Sequence, residues 1–237
     1  ATPGIDKIIW FDGSLKIPPL GTFPHPNVLA GFLVILFTFT ALFWFKKSKL
    51  LFTIYLLLIA VPLFLTFSLS AWLAFLLITI PFLLLSIYPK IKALMISSGL
   101  ILIVFSLFLK FSFLAPESSF SRRSQLSQMA INMFKDRPLT GVGLNNFTVT
   151  MDQYGYIPAT TRFFQPVHNI YLLILSETGL IGLAGFLYLL FSIFKKSSNS
   201  VFRFSFFVLI FLGLFDHYFF TLQQGMLLFL LSLTITP

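Results

Sequence analysis

No cysteine occurs in the 237 residues, which excludes disulfide frameworks, thiolate metal sites and cysteine nucleophiles together. Charge is scarce as well. Only 10% of residues are charged and 57% are hydrophobic, where a soluble domain carries about a quarter charged. Mean hydropathy is +0.95, and 33 phenylalanines sit largely in runs free of charge. A water-soluble globule is excluded; the bilayer is the solvent for most of this chain. Ala1 opens the chain without methionine, and no basic stretch followed by an apolar one marks a secretory leader. The chain therefore reads as a fragment or processed form of a longer membrane protein.

Seven apolar segments are present: Val28–Phe45, Leu50–Phe67, Ala71–Tyr88, Ala93–Leu109, Asn169–Phe194, Phe204–Phe215 and Gly225–Thr236. Crossing about 30 Å of hydrocarbon takes roughly 20 residues, so six or seven spans are expected. The fold class is an all-α polytopic bundle with one large outer loop carrying a short interfacial helix. It forms one membrane domain: an outer segment 1–27, spans over 28–109, an outer loop 110–168 and spans over 169–236. Lys46, Lys47, Lys49, Lys90, Lys92, Lys195, Lys196 and Arg203 fall on one side if the chain alternates. The opposite turns, Ser68–Ser70 and Asp216–Gln224, hold no lysine or arginine. Basic short loops mark the cytoplasmic side. The net charge of +9 is thus an orientation signal rather than a nucleic-acid footprint, which needs a clustered basic face. Pro62 and Pro81 are expected to kink the second and third spans.

A loop of nearly sixty residues exceeds what a connection needs. Ser118 or Ser119 can cap a helix from about Phe120 to Lys135, ending before Pro138. Leu126, Met129, Ala130, Met133 and Phe134 share one stripe on it, with Arg122 and Arg123 at its upstream end. Two readings stay open: an interfacial helix whose arginines snorkel toward headgroups, or a guanidinium clamp for a lipid phosphate or pyrophosphate. Gly141-Val142-Gly143-Leu144-Asn145-Asn146-Phe147 is neither a P-loop nor a dinucleotide fingerprint; its glycines and asparagines favour turns with positive φ.

His168 follows Pro166 at the mouth of the fifth span, beside backbone N–H groups expected to be unpaired. A neutral imidazole there, with a reference pKa of about 6.5, could act as a general base. Glu177 lies nine residues deeper, about 13 Å along the helix and on the opposite face, and reads as an orienting or packing residue. His25, in Gly21-Thr22-Phe23-Pro24-His25-Pro26-Asn27, and His217, after Asp216, read as boundary residues. None of the three histidines shows i, i+4 or His-x-Glu spacing, so no metal site is read from the sequence. No Asp-x-Asp pair supports a nucleotide-sugar transferase.

These segments together resemble the O-antigen ligase and O-antigen polymerase family. The matching pieces are Gly21–Asn27 before a span, an Arg-bearing outer helix leading to Asp136-Arg137-Pro138-Leu139-Thr140-Gly141-Val142-Gly143-Leu144-Asn145-Asn146-Phe147, His168-Asn169-Ile170-Tyr171-Leu172, Glu177-Thr178-Gly179-Leu180-Ile181-Gly182, and Asp216-His217-Tyr218 with Gln223-Gln224-Gly225. The resemblance covers the C-terminal portion of a typical member, upstream spans being missing. It implies a multi-pass protein of the bacterial inner membrane, its large loop outside the cytoplasm. The implied reaction moves a glycan from a polyprenyl pyrophosphate to a hydroxyl on lipid A core, a glycan or a protein, without metal or other cofactor. It implies His168 as the base, Arg122, Arg123 and Arg162 as pyrophosphate ligands, and Asn169, Glu177, His25 and His217 in support. Members often carry an arginine where this chain has Leu69. Membrane lipids are expected partners and nucleic acid is not; a bicarbonate-like transporter or a non-catalytic paralogue are the alternatives.

Overall fold

A computed structural model describes residues 8–9, 13–87, 117–155, 164–196 and 200–234. The expected fourth span, Ala93–Leu109, lies outside the described residues, as do Lys90, Lys92 and Arg162. The chain is mostly helical. Its one sheet among the described residues is a short antiparallel pairing of β1 (Ile8–Ile9) with β2 (Leu15–Lys16). The chain groups into two compact units. One comprises Lys7–Ala115 with Phe207–Leu212; the other comprises Ala1–Asp6, Pro116–Phe206 and Gly213–Pro237.

The first unit is built on α1 (Pro26–Lys47), α2 (Lys49–Leu65) and α3 (Leu69–Ile87). They coincide with the first three apolar runs, and α2 continues through Pro62. Ser48 breaks α1 from α2 because its side chain accepts the Leu51 N–H at the new N-terminus. The helices meet through rings. Phe37, fully buried, stacks on Tyr55 at 5.9 Å and tilts against Phe75 at 4.9 Å. The Tyr55 hydroxyl satisfies its polar end at Thr40 and the Leu36 carbonyl. Leu69 opens α3.

The second unit carries α4 (Glu117–Asp136), α5 (Phe147–Thr150), α6 (Ile170–Lys196), the start of α7 (Ser200–Leu212), α8 (Tyr218–Thr221) and α9 (Gln223–Thr234). Among the described residues only α6, at 27 residues, is long and apolar enough to cross a membrane. Shorter apolar helices run over Pro26–Ala41, Lys49–Leu65, Leu69–Ile80 and Gln223–Leu233. The α4 helix starts at Glu117, so Ser118 and Ser119 lie inside its first turn rather than capping it. Its apolar stripe is covered by protein. Leu126, Met129, Ala130 and Met133 are buried against Val142, Phe147, Met151, Val167 and Leu173 of the same unit. Each leucine or methionine among them contributes about 1.5–3 kcal/mol by that burial.

A break inside a helix falls at a glycine of α6. At Gly179 (φ 66, ψ −165) the backbone leaves the helix in the middle of α6, in a region open essentially to glycine alone. Two helical hydrogen bonds are lost there, and the segment after Pro138 replaces both. Val142 and Gly143 donate their N–H groups to the carbonyls of Ser176 and Glu177, while the Leu180 and Ile181 N–H groups reach the carbonyls of Pro138 and Leu139. Two glycines permit the approach. A Cβ on Gly141 would stand 2.3 Å from the Glu177 carbonyl carbon, and one on Gly179 would stand 2.3 Å from that of Leu139.

Gly141→Ala and Gly179→Ala should each therefore cost about 2–3 kcal/mol or more, since positive φ and a backbone clash add. Gly185→Ala, with nothing within 4 Å, should be neutral or slightly stabilising. Unfolding midpoints of the three variants in one detergent, against wild type, check the contrast.

Candidate active site

Three chain segments of the second unit converge at the N-terminus of α6. Asn169 is the cap: its Oδ1 accepts the Leu172 N–H at 2.9 Å. Its Nδ2 donates to the Leu214 carbonyl at 3.1 Å, and the Ile170 N–H donates to the Gly213 carbonyl at 2.8 Å. From α4, Arg123 Nη1 donates to the Phe215 carbonyl at 3.0 Å. Successive carbonyls of the 213–215 turn are thereby fastened to α6 and α4, and the next two residues, Asp216 and His217, come to rest beside His168. The N–H groups at the mouth of α6, expected to be unpaired, are in fact taken by Gly213 and Asn169.

The cluster is compact. His168 Nδ1 stands 3.5 Å from Asp216 Oδ1, with side-chain exposures of 16% and 8%. The His168 and His217 rings lie 5.0 Å apart at 56°. The Asp216 carboxylate also accepts the His217 N–H at 2.8 Å. Burial works against its charge, but His168, His217 and the Arg123 guanidinium hold the carboxyl well below the usual carboxylate range. Asp216 is thus an ionised partner between two imidazoles. Such a partner orients a histidine and stabilises the imidazolium form. The cluster also offers one ligand atom each from His168, Asp216 and His217, all within 4.8 Å of one another. Chain spacing could not disclose this set, because His168 stands far from the other two in sequence.

Of the residues singled out from the sequence, His168, His217, Asn169 and Arg123 meet here. Arg122 is the neighbour of Arg123 on α4, half-buried. His25 belongs to the other unit, where its Nδ1 accepts the Asn27 N–H at 3.1 Å. Glu177 lies within α6, away from the imidazole cluster. Its carboxylate accepts the N–H groups of Asn145 at 2.9 Å and Phe147 at 3.0 Å, capping the turn that starts α5. Gly141, Gly143 and Asn145 in that segment all have positive φ, as the glycine–asparagine content implied.

Asp216 is the member missed from the sequence. The signal was there: it is the one acidic residue between Arg203 and the C-terminus, set next to a histidine at the end of an apolar run.

Replacing Glu177 by Ala should lower stability by about 2 kcal/mol, since a buried N–H at Phe147 loses its partner. Glu177→Gln, which keeps one acceptor, should lose about half as much. Unfolding midpoints and amide exchange at Phe147 test this; unchanged exchange in the Ala variant would reject the capping role.

Residues 54–187 match the family model described as O-antigen ligase, more than half of the chain. The match takes in Arg122, Arg123, His168 and Glu177 and ends before Asp216 and His217. No curated protein matches the chain.

Proposed function

The chain belongs to the O-antigen ligase family, glycan-transferring proteins of the bacterial inner membrane, and from that premise we propose a specific reaction. The protein moves a glycan from a polyprenyl pyrophosphate to a hydroxyl acceptor, on lipid A core, a growing glycan or a protein, at the extracytoplasmic face. The observation that carries the reading is the gathering of His168, Asp216, His217 and Arg123 at one helix mouth.

The parts have separate tasks. With its Nδ1 side turned to Asp216, His168 presents Nε2 to the acceptor. As the acceptor oxygen attacks the anomeric carbon, its proton passes to Nε2, and the bond from that carbon to the pyrophosphate oxygen breaks. Asp216 stabilises the resulting imidazolium. The departing pyrophosphate takes up negative charge, which arginine meets with paired N–H donors. One donor of Arg123 already engages Phe215; the guanidinium has five, so the others can serve an anion. Arg122 and Arg162 are the further ligands in this reading. Asn169 holds the 213–215 turn in place, His217 flanks Asp216, and Glu177 shapes the neighbouring loop. Leu69 leaves the first unit without one arginine that relatives use. The lysine and arginine bias of the short loops supports the extracytoplasmic placement, and the apolar helices support six or seven crossings.

His168→Ala should lower transfer by about 10²–10⁴-fold in proteoliposomes supplied with a lipid-linked glycan, while inserting normally. Asp216→Asn should lower kcat more than it raises KM. Transfer retained by the His168 variant would refute the base assignment.

A further inference from the structure

The imidazole given the role of base also belongs to a ligand set. We propose that His168, Asp216 and His217 form a binding site for a borderline divalent cation of the zinc class, and that its occupation switches transfer off.

Four observations support the site. His168 Nδ1 is buried without a hydrogen-bond partner. Its 3.5 Å separation from Asp216 Oδ1 is long for a charge-assisted hydrogen bond, which runs about 2.7–2.9 Å. It is close to the roughly 3.3 Å that separates two ligand atoms held at 2.0–2.1 Å in a tetrahedron. The third ligand is held from outside the set: Thr221 Oγ1 shares a hydrogen bond with His217 Nδ1 and also reaches the His217 carbonyl at 3.2 Å. With its proton on Nδ1, His217 has a lone pair on Nε2 for a cation. A hydroxyl fastened to the other ring nitrogen is the outer-shell support that metal-binding imidazoles typically have. Finally, all three ligand atoms lie within 4.8 Å of one another, so small side-chain rotations close the set. Two imidazoles and one carboxylate suit zinc, leaving a fourth position for water, and suit poorly the harder magnesium ion. The nearby Arg123 guanidinium opposes a second cation, which keeps the affinity modest.

The inhibitory half rests on the reading of His168 as base; metal binding does not. A cation on Nδ1 holds that lone pair, and the remaining ring proton resides on Nε2. A protonated Nε2 cannot accept the acceptor's proton. The tautomer moves but no net proton is gained or lost.

The test uses the full chain in detergent or nanodiscs, titrated with Co²⁺ as a visible-absorbing probe and then with Zn²⁺. One Co²⁺ per chain should bind with the d–d bands of a low-coordinate nitrogen–oxygen site, Zn²⁺ should displace it, and Mg²⁺ should not. His217→Ala and Asp216→Asn should each weaken binding by about a hundredfold. A readout on wild type removes dependence on the variants' folding: Zn²⁺ should protect His168 and His217, but not His25, from diethyl pyrocarbonate, as seen by mass spectrometry. In the transfer assay Zn²⁺ should inhibit and a chelator should restore activity. An absent Co²⁺ spectrum, or histidine protection that does not distinguish His25, overturns the site. Binding without inhibition overturns the switch. Absence of transfer under every condition would count against the enzymatic reading and leave the Co²⁺ result standing.

Discussion

The second unit depends on one repair in the backbone. Where α6 breaks at Gly179, two carbonyls and two N–H groups lose their helical partners. All four are taken up by residues 138–143. Orphaned backbone groups in an apolar setting cost several kcal/mol each, so neither the broken helix nor the loop is stable without the other. Glu177 adds a fifth and sixth bond by reaching past the break to the Asn145 and Phe147 N–H groups. The loop is thereby anchored at both ends, and Val142 and Phe147 are delivered to the core that buries the α4 stripe.

That core in turn locates the cluster. Val167, fully buried within it, immediately precedes His168, and Leu126 lies one turn beyond Arg123 on α4. The His168 backbone and the Arg123 side chain are therefore set by apolar packing, while the Asp216–His217 turn is held by hydrogen bonds to its carbonyls. Packing fixes two parties and polar contacts the third. The carbonyl tether from Arg123 also explains how a guanidinium and a carboxylate share one corner without a direct hydrogen bond: the cation is tied one residue upstream of Asp216.

How legible this was depended on the kind of signal. Apolar runs announce helices because burial is cumulative along a segment, and α1, α2, α3 and α6 lie where the runs do, with ends shifted by a few residues. The α4 stripe was legible from its 3.6-residue period, and its cover was not, since Phe147, Met151 and Val167 come from elsewhere in the chain. The break at Gly179 was not legible. Proline announces its lost N–H in the sequence, whereas a glycine inside Glu-Thr-Gly-Leu-Ile-Gly shows its φ only once its partner loop is in place. Asp216 was passed over for a similar reason. Its neighbour His217 was noticed, but nothing local says that the turn folds back onto a residue nearly fifty positions earlier. The family resemblance, by contrast, rested on order and spacing, and the match over residues 54–187 bears it out.

The brace across the α6 break is made from main-chain atoms, which are the same whatever side chain they carry. At 142, 180 and 181 the brace itself therefore excludes only proline, which lacks the N–H, whereas positions 141 and 179 must stay without a β-carbon. The brace itself thus asks for particular side chains at only two places, and there it asks for glycine.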